Sequence, residues 1–126
     1  HTRCSRDWSS DVCSSDLVTA GSGAYTTVSV MYGKYTKVGR LVSLQFGFQV
    51  TDKGTGSNGA VVSNLPFTPA SGGYLSFFGT GFDASSGVLL QTYIYAGATS
   101  VGVYKYDGTD GIVQGDRVLC DVLYYV

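Results

Sequence analysis

Leu41-Val42-Ser43-Leu44-Gln45-Phe46-Gly47-Phe48-Gln49-Val50-Thr51 is the stretch that decides the fold class. Val42, Leu44, Phe46, Phe48 and Val50 alternate with Ser43, Gln45, Gly47, Gln49 and Thr51. Such period-two alternation sends one set of side chains to a core and the other to the opposite face of a long strand. The run Tyr32 to Val38 precedes it, and only Gly39-Arg40 separates the two, a connection of hairpin length. Residues 32–51 are therefore predicted as a β-hairpin.

Working outward, Asp52-Lys53-Gly54-Thr55-Gly56-Ser57-Asn58-Gly59 is dense in residues that tolerate tight-turn backbone, so the chain reverses there into a short strand at Ala60 to Ser63. Leu65-Pro66-Phe67-Thr68-Pro69 carries both prolines, which cannot donate to a sheet ladder, and is predicted as a crossing or edge segment with Phe67 tucked beneath it. Further strands are expected at Gly73 to Gly79, Val88 to Tyr95, Thr99 to Tyr106 and Arg117 to Tyr125, with Gly-, Ser- and Asp-rich turns between them. No helix of two turns, repeat or heptad seam is visible. The class is all-β, and the strand spacing suits an antiparallel sandwich of jelly-roll type.

Two of these strands are apolar on both faces. In the last, Val118, Cys120, Val122 and Tyr124 form one face while Leu119, Leu123 and Tyr125 dominate the other, and Val88 to Tyr95 behaves similarly through Leu89, Tyr93 and Tyr95. A domain this small does not normally leave such faces to solvent, and self-association is the economical cover for them. Leu89, Leu119, Leu123 and Tyr125 are the candidate interface residues. The alternative is that loops or preceding strands cover these faces.

Residues 1–17 stand apart from the rest. Asp7-Trp8-Ser9-Ser10-Asp11-Val12-Cys13-Ser14-Ser15-Asp16-Leu17 resembles one translated reading frame of a short-read sequencing adapter, and His1-Thr2-Arg3 is similar to a further piece of the same primer. The resemblance implies that the leader is not part of a domain and that Val18 to Val126 is one domain, truncated at its N-terminus. His1, Cys4, Trp8 and Cys13 then drop out of any search for a site. From Val18 onward there are six basic and six acidic residues, all the acids are aspartate, and histidine is absent. That balance provides neither the basic footprint of a nucleic-acid binder nor a patch for anionic membrane, and membrane insertion is not expected. Cys120, the remaining cysteine, alternates with apolar residues and is expected as a small buried hydrophobe.

Catalysis needs a group titrating near working pH, an activated nucleophile or a metal, and none assembles here, so no enzymatic activity and no cofactor is expected. Gly54-x-Gly56-x-x-Gly59 has the spacing of a phosphate cradle but leads into a turn rather than a helix. Asp107-Gly108-Thr109-Asp110-Gly111, with Asp116 nearby, offers oxygens to calcium but too few ligands, and is expected as an Asp-Gly turn without metal. A glycan-degrading enzyme would need paired aspartates in a groove, such as Asp107 and Asp110. Tyr93, Tyr95, Tyr104 and Tyr106 lie as two i, i+2 pairs on strands consecutive in sequence, and form one aromatic strip if those strands pair. Flat aromatic area with a hydroxyl suits a sugar ring or a protein surface, and equally suits packing between strands or subunits. Tyr93, Tyr95, Tyr104, Tyr106, Asp107 and Asp110 are the candidate ligand contacts.

Tyr35-Thr36-Lys37-Val38-Gly39-Arg40-Leu41-Val42, the alternating strand, Gly54-Thr55-Gly56, and Ser63-Asn64-Leu65-Pro66-Phe67 together resemble the C-terminal domains of phage tail fibres and related tail proteins. The ending Tyr124-Tyr125-Val126 is also similar, so the resemblance spans most of Met31 to Val126. It implies a jelly-roll sandwich assembled as a homotrimer at the tip of a tail fibre, located on the virion and binding a bacterial surface glycan or outer protein. No catalytic residue carries over. A structural tail or baseplate component without receptor, or a carbohydrate-binding module, is the alternative.

Overall fold

The computed structural model describes residues 18–63, 65–71 and 76–126. The leader, Asn64 of the Ser63 to Phe67 element, and residues 73–75 of the strand expected from Gly73 lie outside these. Among the described residues there is no helix. The chain forms β1 (Val18–Ser22), β2 (Thr27–Val38), β3 (Leu41–Asp52), β4 (Ser57–Val62), β5 (Phe77–Asp83), β6 (Leu89–Ile94), β7 (Val101–Lys105) and β8 (Arg117–Tyr125). All pairings are antiparallel, in the order β1-β4-β7-β6-β5-β8-β3-β2. The ladder runs unbroken through all eight strands. The two faces therefore arise by curling of one sheet around its core.

The predicted hairpin is the frame of one half. β3 pairs with β2 along one edge and with β8 along the other, and its alternation holds throughout: Val42, Leu44, Phe46, Phe48 and Val50 are all buried. They meet Val118, Val122 and Tyr124 of β8, Leu90 and Ile94 of β6, Val101 and Val103 of β7, and Ala60 and Val62 of β4 in a single hydrophobic cluster. Burying a Val, Leu or Phe side chain stabilises by about 1.5–3 kcal/mol each, so this inward set supplies most of the driving force. Cys120 is buried in the same layer, as expected, and that burial pushes its thiol far above the ordinary range.

β2 begins five residues before the predicted run, at Thr27, and contains a bulge. Val30 pairs with Phe48 and Tyr32 with Gly47, leaving Met31 as the extra residue. The bulge reverses the alternation. Before it Val28 and Val30 pack against the core; after it Gly33 and Tyr35 are the buried residues and Tyr32 belongs to the outer face. A second irregularity lies between β1 and β4. Asn58 (φ 66°) and Gly59 (φ 77°) are both left-handed, and three steps along β4 from Ser57 to Ala60 face two along β1 from Ser22 to Ala20. Asn tolerates this backbone better than other residues with a Cβ, and Gly tolerates it freely.

The proline segment packs against the turn end of the hairpin. Phe67 sets its ring edge against Tyr35 with centroids 5.2 Å apart, and its carbonyl accepts a 3.0 Å hydrogen bond from the Tyr124 hydroxyl. Of Gly54-x-Gly56-x-x-Gly59, the first part is a turn, closed by a 2.9 Å bond from Gly56 N–H to the Lys53 carbonyl and by Asp52 accepting from Gly54 N–H, whereas Ser57 to Gly59 already belong to β4, which starts three residues before the expected Ala60.

Candidate functional site

The outer face of the sheet can be built row by row from the strand register. Leu89 pairs with Phe82, Phe82 with Leu119, and Leu119 with Gly47, over which the Tyr32 ring lies. A polar row runs beside it. Thr80 pairs with Gln91, Gln45 with Asp121 and with Lys34, and Asp121 accepts hydrogen bonds from both the backbone N–H and the hydroxyl of Thr80. These two rows bound a shallow depression of about 450 Å³. Beyond them apolar residues return: Phe78 pairs with Tyr93, Leu123 with Ser43, and Tyr125 with Leu41.

The candidate interface residues all lie on this face. Leu89, Leu123 and Tyr125 are 56%, 53% and 47% exposed, and Leu119 is half-buried between Phe82 and Gly47. Phe78 and Phe82, which the sequence reading did not single out, are exposed alongside them. Thus β8 buries one face in the single chain and leaves the other largely uncovered. The expectation that both faces are buried does not hold within one chain.

The tyrosine strip forms on β6 and β7. Tyr93 and Tyr104 stack with centroids 5.4 Å apart and ring planes 21° apart, and Tyr95 lies 4.3 Å from Tyr93. Register explains the contact: Tyr93 faces Gly102 and Gln91 faces Tyr104, so the two tyrosines are diagonal neighbours. The partners of these rings are glycines. A Cβ on Gly102 would sit 2.8 Å from the Tyr93 ring, and one on Gly59 would sit 3.0 Å from the Tyr104 ring. The absent side chains let each tyrosine lie across the neighbouring strand. Val61, Ala98 and Ser100 complete a groove of about 270 Å³ with Tyr93, Tyr95, Gly102 and Tyr104. Burial first, then its neighbours Tyr104 and Tyr95, push the Tyr93 phenol well above its usual value.

Tyr106, Asp107 and Asp110 are not brought into that groove. Tyr106 is exposed just beyond β7, with the Lys105 ammonium 5.7 Å from its ring centroid. Asp107 closes a turn by accepting from both the N–H and the hydroxyl of Thr109, and those bonds hold its carboxyl below the usual range. Asp110 ties this loop to the β3–β4 turn. It pairs with Lys53 at 3.0 Å and accepts from Ile112 N–H, and despite the burial that would raise it, these partners keep its carboxyl low. Its oxygens are engaged in structure. Among the described residues no three His, Cys, Asp or Glu side chains converge as a metal site would require.

A carboxyl pair that the sequence reading missed lies beneath the turns at the other end of β5. Asp83 and Asp116 are 0% and 4% exposed and hydrogen-bond one another. Asp83 also accepts from Ser85 N–H, Ser86 N–H and the Ser86 hydroxyl, while Asp116 accepts from Val113 N–H. Two buried carboxyls in contact resist ionising together, so one of them holds its proton to a higher pH than an isolated aspartate does. Burial first, then the neighbouring Asp83, pushes Asp116 up to about 6, whereas the donors around Asp83 outweigh its burial and hold it low. The residues are far apart in sequence and no local motif announces them. The pair lies below the surface and fixes the turn before β8 to that after β5.

Compared with known protein families, with curated proteins and with solved structures, the chain matches none.

Proposed function

We propose that the domain is the receptor-binding tip of a phage tail fibre, acting as a homotrimer on the virion and attaching to a glycan on the bacterial surface. The observation that carries this reading is the uncovered outer face of β5, β6 and β8. Phe78, Phe82, Leu89, Leu123 and Tyr125 are each close to half exposed or more, on strands whose other face is fully committed to the core. Apolar rows left exposed on either side of a polar one mark an interface, and closed symmetry is the usual way to satisfy it. The resemblance of 35–42, 54–56 and 63–67 to tail-fibre ends supports the same reading, since the first of these forms the β2–β3 hairpin and the second its following turn. The jelly-roll relationship belongs to the proposal. A single sheet curled over one core is compatible with it.

The tyrosine groove supports the attachment reading, since its rings line an open groove in the single chain. Light scattering across a dilution series tests the assembly. The expected mass is three chains, and Leu89→Ser combined with Leu119→Ser is expected to yield folded monomers. A monomeric parent chain at all concentrations overturns the trimeric tip.

A further inference from the structure

The tyrosine groove has a narrower chemistry than attachment in general. Tyr93 and Tyr104 present nearly parallel rings, 21° apart, because Gly102 and Gly59 leave room for each to lie down across the next strand. Tyr95, 60% exposed, extends the surface. The result is a platform of ring faces bordered by phenolic hydroxyls and Ser100, rather than a cage with rings on several sides.

We propose that this platform is a subsite for one neutral pyranose unit, stacking the C–H face of the sugar on the tyrosine rings and exchanging hydrogen bonds with their hydroxyls. Charge selects against the other occupants. None of the seven lining residues is ionic, so an acidic sugar or phosphate finds no countercharge. A quaternary ammonium ion is best held by an aromatic cage, which rings stacked on one another do not form. Size narrows the choice further. Pockets for drug-sized ligands run from about 300 to 1,000 Å³. A groove of about 270 Å³ suits a single ring. Burial and the neighbouring rings push the Tyr93 phenol upward, so it stays protonated and remains a donor.

The subsite deepens the attachment reading by naming the sugar class, and it can fail separately from it. The test is saturation-transfer NMR with calorimetry on the full chain, using methyl β-D-glucopyranoside and methyl β-D-galactopyranoside against N-acetylneuraminic acid and glucose 6-phosphate. At least one neutral glycoside is expected to bind with a dissociation constant on the order of 1 mM per site, a weak contact that three copies would multiply. Tyr95→Ala and Tyr104→Ala are expected to weaken it at least tenfold with the thermal midpoint checked, whereas Tyr106→Ala and Asp107→Asn leave it unchanged. Tyr95 is exposed, so its variant keeps the test valid should Tyr104→Ala unfold. Absence of neutral-sugar binding overturns the proposal, as does equal binding by the Tyr95→Ala variant or preference for the acidic probes. A trimer that ignores both glycosides yet adsorbs to bacterial cells removes the subsite and leaves the attachment reading. A glycoside-binding chain that neither trimerises nor adsorbs does the reverse.

Discussion

The inner and outer faces of this sheet are read from the same strands, one residue out of phase, yet they are assembled on different rules. Inside, large side chains face large side chains: Phe46 and Phe48 stack near parallel, and Phe77 meets Tyr124 edge-on. Outside, beside the apolar pairs of Phe82 with Leu89 and Leu119, three rings lie over glycines: Tyr32 over Gly47, Tyr93 over Gly102 and Tyr104 over Gly59. The inner arrangement fills volume and the outer one lays rings flat. The difference teaches that the two faces respond to different perturbations, the buried one through the stability of the chain and the exposed one far less so.

The sharpest way to break that comparison is to truncate one phenylalanine on each face. Phe46→Ala, at a 1% exposed position, is expected to cost about 3–5 kcal/mol in urea unfolding. Phe82→Ser, at a 46% exposed position, is expected to change the stability of the single chain by no more than about 0.5 kcal/mol while altering association. Similar costs at the two positions would show that the outer face is already packed within one chain.

A smaller effect comes from the buried carboxyl pair. Asp116 is raised in the folded chain, so its contribution to stability is complete below its ordinary value of 3.8 and is lost as pH rises through about 6. Asp83 is lowered and acts in the opposite sense below 3.8. Stability is therefore expected to fall by about 1–3 kcal/mol between pH 4 and pH 6.5 through Asp116. Asp116→Asn should flatten that slope and be more stable than the parent at pH 7.5, because an amide donates to Asp83 without a titrating proton and its oxygen still accepts from Val113. Parallel pH profiles for the two chains would count against the raised Asp116 carboxyl. Smaller than the carboxyl effect is that of Lys53→Met, which removes the partly buried pair with Asp110 and is expected to cost about 0.5–1 kcal/mol, less at high salt.

What the sequence reveals follows from how local each signal is. Arg117–Tyr125 and the β3 alternation are legible because each inward residue announces itself two positions on, and the Tyr93–Tyr95 and Tyr104 cluster follows from the same count once β6 and β7 are neighbours. β1 was not anticipated because Val18-Thr19-Ala20-Gly21-Ser22 is mostly small and polar residues with a glycine where a strand signal would be. The start of β2 was obscured by Met31, whose bulge puts the valines before it and Tyr35 after it on the same face in spite of their odd spacing. Tyr106 falls outside the strip because register sets it beside Leu89, whose carbonyl accepts from its N–H, while Tyr93 lies opposite Gly102 toward the other end of β7. The Asp83–Asp116 pair depends on β5 and β8 lying side by side, which no count along the chain supplies.

The Met31 bulge also bears on how chains can meet. β2 is one rim of the sheet and β1 the other, and each rim is the site of an irregularity in register. A rim that is kinked, and that carries Lys34 and Lys37 near its end, is a poor template for another chain's backbone. Both rims of the sheet are thus guarded against edge-to-edge pairing, the contact by which a sheet would otherwise propagate as a fibril.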